Sequence, residues 1–419
     1  MQPNIIHMGL GAFHKAHQAV YVQRAINNGA KLAIAGVSQR DSQASDELAA
    51  ANFRYIVRES SASGDFDFGI TAITQAYFYP RDYEKLAEIV AQPDFLAITI
   101  AATEKAYVLS DDVQLTLPGR LAHLLHARYL KTKIGIVVIS CDNLSSNGRI
   151  TRNLVIRSSE KMGDIKFTEW IAEQIRFPNS MVDRIVPASK ERGIIVTEPF
   201  IQWVIEHDPI ESVLAGVGIE FVPTVAEYEL MKLRLFNSIH SALAYLGELV
   251  QIESIAQMIS DPAYEKFVAA IQAEAGRSFI APAGQSAADY SLGIRRRIAN
   301  PKLGHQCQQI AMDGSQKIPF RIFAIINDLV AAEESVKFLT LVLALWVEYL
   351  RINERINDPL REKLVTLSQT QDSLVGVGLI FKLPDFAVVL NPACFSEIAQ
   401  WLMQLREFGP EQVIKNLLL

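Results

Sequence analysis

Apolar positions along the chain follow two regimes. Up to about residue 220, short hydrophobic runs alternate with amphipathic stretches. The runs Ile5–Met8, Leu32–Val37, Ile70–Thr74, Phe95–Ile100, Ile134–Ile139 and Ile194–Val196 predict strands. A helix is expected from the first loop to about Asn28, closed by Gly29, and others over Tyr83–Ala91, Arg152–Lys161 and Phe167–Phe177. From about Pro223 the strands stop and helical spacing takes over. Expected helices are Thr224–Leu249, Ser254–Ser260, Pro262–Ala275, Ser286–Ile298, Cys307–Gln316, Pro319–Ala331, Glu334–Leu350, Pro359–Ser368, Cys394–Phe408 and Pro410–Leu418. Strand–helix alternation implies a parallel sheet covered by helices, and the second regime implies a helical domain. At 419 residues the chain is too long for one hydrophobic core. Domains are therefore expected over residues 1–222 and 223–419.

Composition narrows the partners. A formal net charge of −6, without a basic cluster, argues against nucleic acid or an anionic membrane surface. The longest apolar run, Phe338–Trp346, is too short to span a bilayer. Cys141, Cys307 and Cys394 are far apart and form no CxxC pair, which fits a reducing cytoplasm rather than a disulfide framework or zinc knuckle. The N-terminus enters a strand directly, without the pattern of a signal peptide.

The candidate chemistry begins at Gly9-Leu-Gly11-Ala12-Phe13, straight after the first strand. A Gly-x-Gly turn there permits a tight bend and lets backbone approach a pyrophosphate, the opening of a Rossmann-type dinucleotide-binding domain. His14 stands at the third glycine position. After the second strand, Asp41 could bind the adenosine ribose hydroxyls and favour NAD, while Arg40 could accept a 2′-phosphate and favour NADP. Ser140-Cys-Asp142-Asn143-Leu-Ser-Ser-Asn147-Gly148 follows the strand near Ile139, where ligands of open α/β sheets bind; Asn147-Gly148 reads as ordinary turn chemistry. In the first helix of the second regime, Glu229, Lys232, Asn237 and His240 fall within an arc of roughly 140° at about 100° per residue. A base, a donor amide and an imidazole on one face suit alcohol–carbonyl chemistry; a solvated polar stripe is the other reading. His123 and His126, three apart with no third ligand nearby in sequence, do not read as a metal site.

These pieces, taken with Met181–Pro187, Glu198–Trp203 and Asp313–Lys317 in that order, resemble the polyol-specific long-chain dehydrogenases. That family includes mannitol 2-dehydrogenase, D-arabinitol dehydrogenase, and fructuronate and tagaturonate reductases. The resemblance implies a Rossmann-type domain, a helical substrate-binding and catalytic domain, and metal-independent hydride transfer with NAD(P). By it Lys232 is the general acid/base, and Asn237 and Asn143 donate to the developing alkoxide. His240 orients the substrate or the lysine, Glu229 gates proton exchange, Asp183 lies near the catalytic centre and Lys317 contacts substrate hydroxyls. Gly9, Gly11, Ala12, Phe13, Asp41 and Glu104 are the implied cofactor contacts. Two departures stand out: Lys15 replaces a common arginine, and Gln309 replaces an arginine of mannitol dehydrogenases.

The expected substrate is thus a linear polyol or its ketose. One alternative is a hexuronate, whose carboxylate could meet Arg295, Arg296 or Arg297; another is a dinucleotide-binding protein without turnover. The sequence leaves the oligomeric state open.

Overall fold

The computed structural model describes residues 2–187 and 191–417. It divides into two compact units, Met1–Ala226 and Glu227–Leu419. The first is built on a five-stranded sheet in the spatial order Ile73–Phe78, Ile34–Ser38, Ile5–Met8, Ala97–Ile100, Val137–Ser140. Every pairing is parallel, and Ile5 lies opposite both Ile34 and Ala97. The four residues of Ile5–Met8 are all buried because helices cover both faces, which is why these strands read as unbroken apolar runs. The chain builds outward from Ile5–Met8 on one side, then returns to start the other side with Ala97–Ile100. That reversal opens a crevice at the carboxyl ends of the two strands.

Three expectations need correction here. The run Ile70–Thr74 is not one strand: it holds the end of Gly64–Ile70 and the start of Ile73–Phe78. Gly64–Ile70 pairs antiparallel with Tyr55–Ser61, and Ile194–Thr197 joins that pair as a third strand. The hairpin escapes an apolar pattern because Gly64–Ile70 is mostly exposed. The first helix is also not continuous. It breaks at His17 (φ −123°, ψ −86°) into Ala12–Ala16 and Gln18–Asn27. Tertiary bonds replace helical ones at the break: His17 Nε2 is bonded to the Gln202 carbonyl at 2.8 Å, and Arg184 Nη1 donates to the Ala16 carbonyl at 2.5 Å. Finally, Asn147-Gly148 is no ordinary turn. Asn147 is fully buried, its amide donates to the carbonyls of Ser140, Asp142 and Ser180, and its oxygen accepts from the Ser180 N–H. A β-carbon on Gly148 would lie 2.4 Å from the Pro178 carbonyl oxygen, so only glycine lets that segment approach.

Beneath the Gly9–Gly11 loop lies a buried polar pair. The His7 and His14 rings stack at 3.4 Å and 9°, and His7 Nδ1 is bonded to Thr99 Oγ1 at 2.7 Å. His7 Nε2 and both His14 nitrogens are enclosed without hydrogen-bond partners among the described residues. Burial holds the His7 pKa down to about 3 and pushes that of His14 well below the usual value.

The second unit is helical. Ser254, Asp261 and Ser286 cap Ile255–Ser260, Pro262–Ala275 and Ala287–Ile298 as their sequence suggests. Lys337–Ile352 is buried on all sides from Leu339 to Leu350, which explains its continuous apolar text. The expected helix Cys307–Gln316 is split at Met312–Asp313, where Asp313 takes φ +55° and donates its N–H to the Asn357 carbonyl at 2.9 Å. Ser373–Phe381 is an additional helix that the sequence reading misses. Among the described residues, no helix is long and apolar enough to cross a membrane.

Two outcomes follow. Asn147→Ala removes the buried hydrogen bonds of this amide, including the one that serves the Ser180 N–H, and should destabilise the first unit by about 3 kcal/mol, lowering its melting temperature by roughly 6–12 °C in thermal denaturation. His7 has a folded pKa below its unfolded one, so below pH 6.5 the unfolded chain takes up a proton that the folded chain refuses. Its contribution to stability is complete above that pH. It is lost at about 1.4 kcal/mol per pH unit as the pH falls toward the folded pKa, with His14 acting in the same direction. Unfolding followed from pH 7 to pH 5 should show this slope, and His7→Asn should flatten it.

Candidate active site

In the first unit, a cleft of about 570 Å³ occupies the crevice between the two halves of the sheet. Gly9, Gly11, Ser38, Gln39, Arg40, Asp41, Ala101, Thr103 and Arg120 are among its lining. Gly9 has φ +119°, and a β-carbon there would sit 1.9 Å from the Ala101 carbonyl oxygen. The backbone conformation and the close approach of Ala101 thus both require glycine at this position. The short helix Ala12–Ala16 starts directly at the cleft and directs its first N–H groups out of the helix. Phe13 does not line the cleft: its ring stacks on His17 at 4.9 Å and packs against the core. Asp41 and Arg40 are both exposed on the rim, and Asp41 Oδ1 accepts the Gln43 N–H at 3.0 Å. Glu104 opens the short 3-10 turn Glu104–Ala106, and its side chain lies outside the described residues.

The loop after Val137–Ser140 is held from below. Asp142 accepts the Ala102 N–H at 2.7 Å and the Tyr107 hydroxyl at 2.5 Å, and Tyr107 is also bonded to Ser140 Oγ at 2.6 Å. Asp142 therefore joins the loops following the two adjacent strands. Asn143, next in sequence, is exposed on the loop that this network fixes. Asp183 is buried at the end of Ser180–Asp183. Its neighbour Arg184 has Glu59 as a carboxylate partner and donates to the Glu198 carbonyl at 2.8 Å, while Glu198 Oε1 accepts the Ile185 N–H at 2.7 Å.

In the second unit, the helix carrying the other candidates is not a uniform α-helix. Ala226–Lys232 is α-helical, Leu233–Asn237 is a π turn, and Ser238–Val250 is α-helical again. A π turn bonds i to i+5 and so takes one more residue than an α turn. Counting about 80° per residue across it narrows the arc containing Glu229, Lys232, Asn237 and His240 from roughly 140° to roughly 80°. Lys232 is only 9% exposed and Asn237 8%, so these two are not on a solvated stripe. Glu229 is half-buried.

His240 lies against Phe236, with ring centroids 4.4 Å apart, and meets His305 edge-on at 5.5 Å. The Arg297 guanidinium sits 4.9 Å over the Phe236 ring. Burial, then the nearby His305, Arg321 and Arg297 charges, hold the His240 pKa well below the usual value. His240 is accordingly a neutral ring at physiological pH, with its Nε2 buried and unpartnered among the described residues. Lys317 Nζ donates to the Met312 carbonyl at 2.6 Å. Gln309 is exposed and lines a different, polar cleft of about 480 Å³ with Glu248, Glu253, Arg355 and Asn357. His123 and His126 are absorbed by packing: His123 meets Tyr83 edge-on at 6.3 Å and His126 meets Phe167 at 4.8 Å. The sequence reading missed Tyr107 and Asn147 as loop supports, and no local spacing marks either one.

Comparisons with known proteins agree with the two-part fold. The family described as mannitol dehydrogenase Rossmann domain matches residues 3–214, and mannitol dehydrogenase C-terminal domain matches residues 224–399. The uncharacterized oxidoreductase YeiQ of Escherichia coli is 30% identical over 472 residues, covering 100% of this chain and 95% of its own. A mannitol 2-dehydrogenase of Phaeosphaeria nodorum is 32% identical over 417 residues, covering 87% of this chain and 72% of its own. The structure of Pseudomonas fluorescens mannitol 2-dehydrogenase, a ternary complex with NAD and D-mannitol, matches with a TM-score of 0.84 at 26% identity, over 100% of this chain and 94% of that one. With both family domains matched in order over most of its length, the chain belongs to the mannitol dehydrogenase family.

Proposed function

We propose that this protein is an NAD(P)-dependent oxidoreductase that interconverts a secondary alcohol of a linear polyol and the corresponding ketose. The observation that carries the reading is the narrow face of Lys232 and Asn237, both nearly buried, followed by a neutral His240 with an unpartnered Nε2. A lysine acts as a base near neutral pH where its surroundings disfavour the charged amine. Lys232 takes the alcohol proton while hydride leaves the same carbon. Asn237 and Asn143 donate to the oxygen as it gains charge, and His240 orients the substrate hydroxyl. Glu229, one turn before Lys232, passes the proton on to water. Asp183 supports the centre, and Lys317 contacts substrate hydroxyls.

The first unit fits a dinucleotide. The Gly9–Gly11 loop admits no side chain at Gly9, and Asp41 is part of the lining of its cleft. Backbone from Gly9 to Phe13 would hold the pyrophosphate and Asp41 the adenosine ribose, with Arg40 beside it for a 2′-phosphate. When bound, NAD supplies the hydride acceptor.

A second reading has one observation in its favour. The Arg297 guanidinium lies over the Phe236 ring, which itself packs against His240, so a substrate reaching that ring comes near a guanidinium. A hexuronate or hexonate carboxylate would profit from it more than a terminal hydroxymethyl.

Lys232→Ala should lower turnover by about 10²- to 10⁴-fold with little change in NAD affinity, measured by steady-state kinetics and cofactor titration. Unchanged turnover would remove the lysine from the mechanism. Assays of mannitol, arabinitol, mannonate and altronate with each nicotinamide cofactor separate the two readings. Higher kcat/KM for the neutral polyols supports the first, and higher values for the acids support the second.

A further inference from the structure

A π turn costs a helix one backbone partner. On returning from i→i+5 to i→i+4 bonding, one carbonyl is skipped by the ladder and must find another donor. In the turn Leu233–Asn237 the Leu235 carbonyl accepts the side-chain amide of Gln272 at 3.0 Å, and the Arg234 carbonyl accepts the Ser238 hydroxyl. Gln272 comes from a different helix, Pro262–Ala275, and is only 2% exposed. Its own oxygen accepts Arg295 Nη1 at 2.6 Å, and Arg295 is ion-paired to Glu265 at 2.8 Å. The amide is thereby fixed in one orientation, with NH₂ toward Leu235 and oxygen toward Arg295. Arg234, inside the same turn, is anchored outward to the Ser278 carbonyl and to Asp328. The turn also packs against a second π turn, Pro319–Phe323.

We propose that Gln272 is a positioning residue: through the Leu235 carbonyl it stabilises the π turn that brings Lys232 and Asn237 onto one face. The same assignment gives Arg295 a role. Rather than meeting a substrate carboxylate, it orients Gln272. This inference rests on the reading of Lys232 as the base.

Gln272→Met keeps the length of the side chain and removes both hydrogen bonds. With NAD and D-mannitol or D-mannonate, its kcat should fall at least tenfold while the KM for NAD changes less than twofold, and the pKa seen in log kcat against pH should move. A readout that needs no turnover is the pKa of the Lys232 amine, followed by ¹³C NMR after reductive methylation and identified by its loss in Lys232→Arg; it should differ between wild type and Gln272→Met. A second variant, Gln272→Glu, keeps the acceptor for Arg295 and donates to Leu235 only when protonated. Its turnover relative to wild type should fall as pH rises through that ionisation, which keeps the test available if Gln272→Met does not fold. Normal kcat, pH profile and amine pKa in a folded Gln272→Met, even with a lowered melting temperature, would overturn the proposal. If Lys232→Ala itself retains turnover, the reading of the base fails instead, whatever Gln272 does.

Discussion

The backbone hydrogen-bond register between Lys232 and Asn237 is the constraint on which the geometry of the second unit's candidate residues depends. A regular α-helix spreads Glu229, Lys232, Asn237 and His240 over a third of its circumference or more. One i→i+5 turn gathers them, at the expense of a carbonyl that the helix can no longer serve. Specific side chains answer that deficit: Ser238 of the same helix for Arg234, and from neighbouring helices Gln272 for Leu235, with Arg295 behind it. Helix Pro262–Ala275 thus does more than fill space. It converts packing into geometry at residues it does not carry.

The N-terminal unit obeys a comparable rule at its loops. Several of its loops are pinned by a buried polar side chain from another segment: Asp142 to Ala102 and Tyr107, Asn147 to Ser180, Arg184 to Ala16, Glu59 and Glu198. In a low-dielectric interior such bonds matter chiefly because breaking one leaves its partner unpaired. The loops thereby gain fixed hydrogen-bond partners without regular secondary structure.

Much of this was legible from the text of the chain. Parallel strands announce themselves as unbroken apolar runs because both faces are covered, and the helix starts at Ser254, Asp261 and Ser286 are written in capping chemistry. Glu229, Lys232, Asn237 and His240 were grouped by spacing alone, although with the wrong pitch. What stayed hidden has a common cause. The break at His17, the split at Asp313, the π turn and the burial of Asn147 are all decided by partners far along the chain, from Gln202 and Arg184 to Asn357, Gln272 and Ser180. Local patterning reports which face is apolar; it does not report which backbone group will be claimed by a distant side chain. The hairpin Tyr55–Ser61/Gly64–Ile70 was missed for a simpler reason, because one strand is largely exposed and lacks a hydrophobic signature.

The helix Lys337–Ile352, buried from Leu339 to Leu350, has a consequence for how the protein is made. It packs against Ser238–Val250 and Pro262–Ala275, which precede it, and against Phe395–Phe408, which follows. On the ribosome this long apolar helix therefore emerges with part of its surface bare. It stays so until the segment from Asn353 to Cys394 has been synthesised and the closing helix arrives. Over that interval the nascent second unit displays a sticky, unfinished core, and truncation before Phe395 would leave it permanently so.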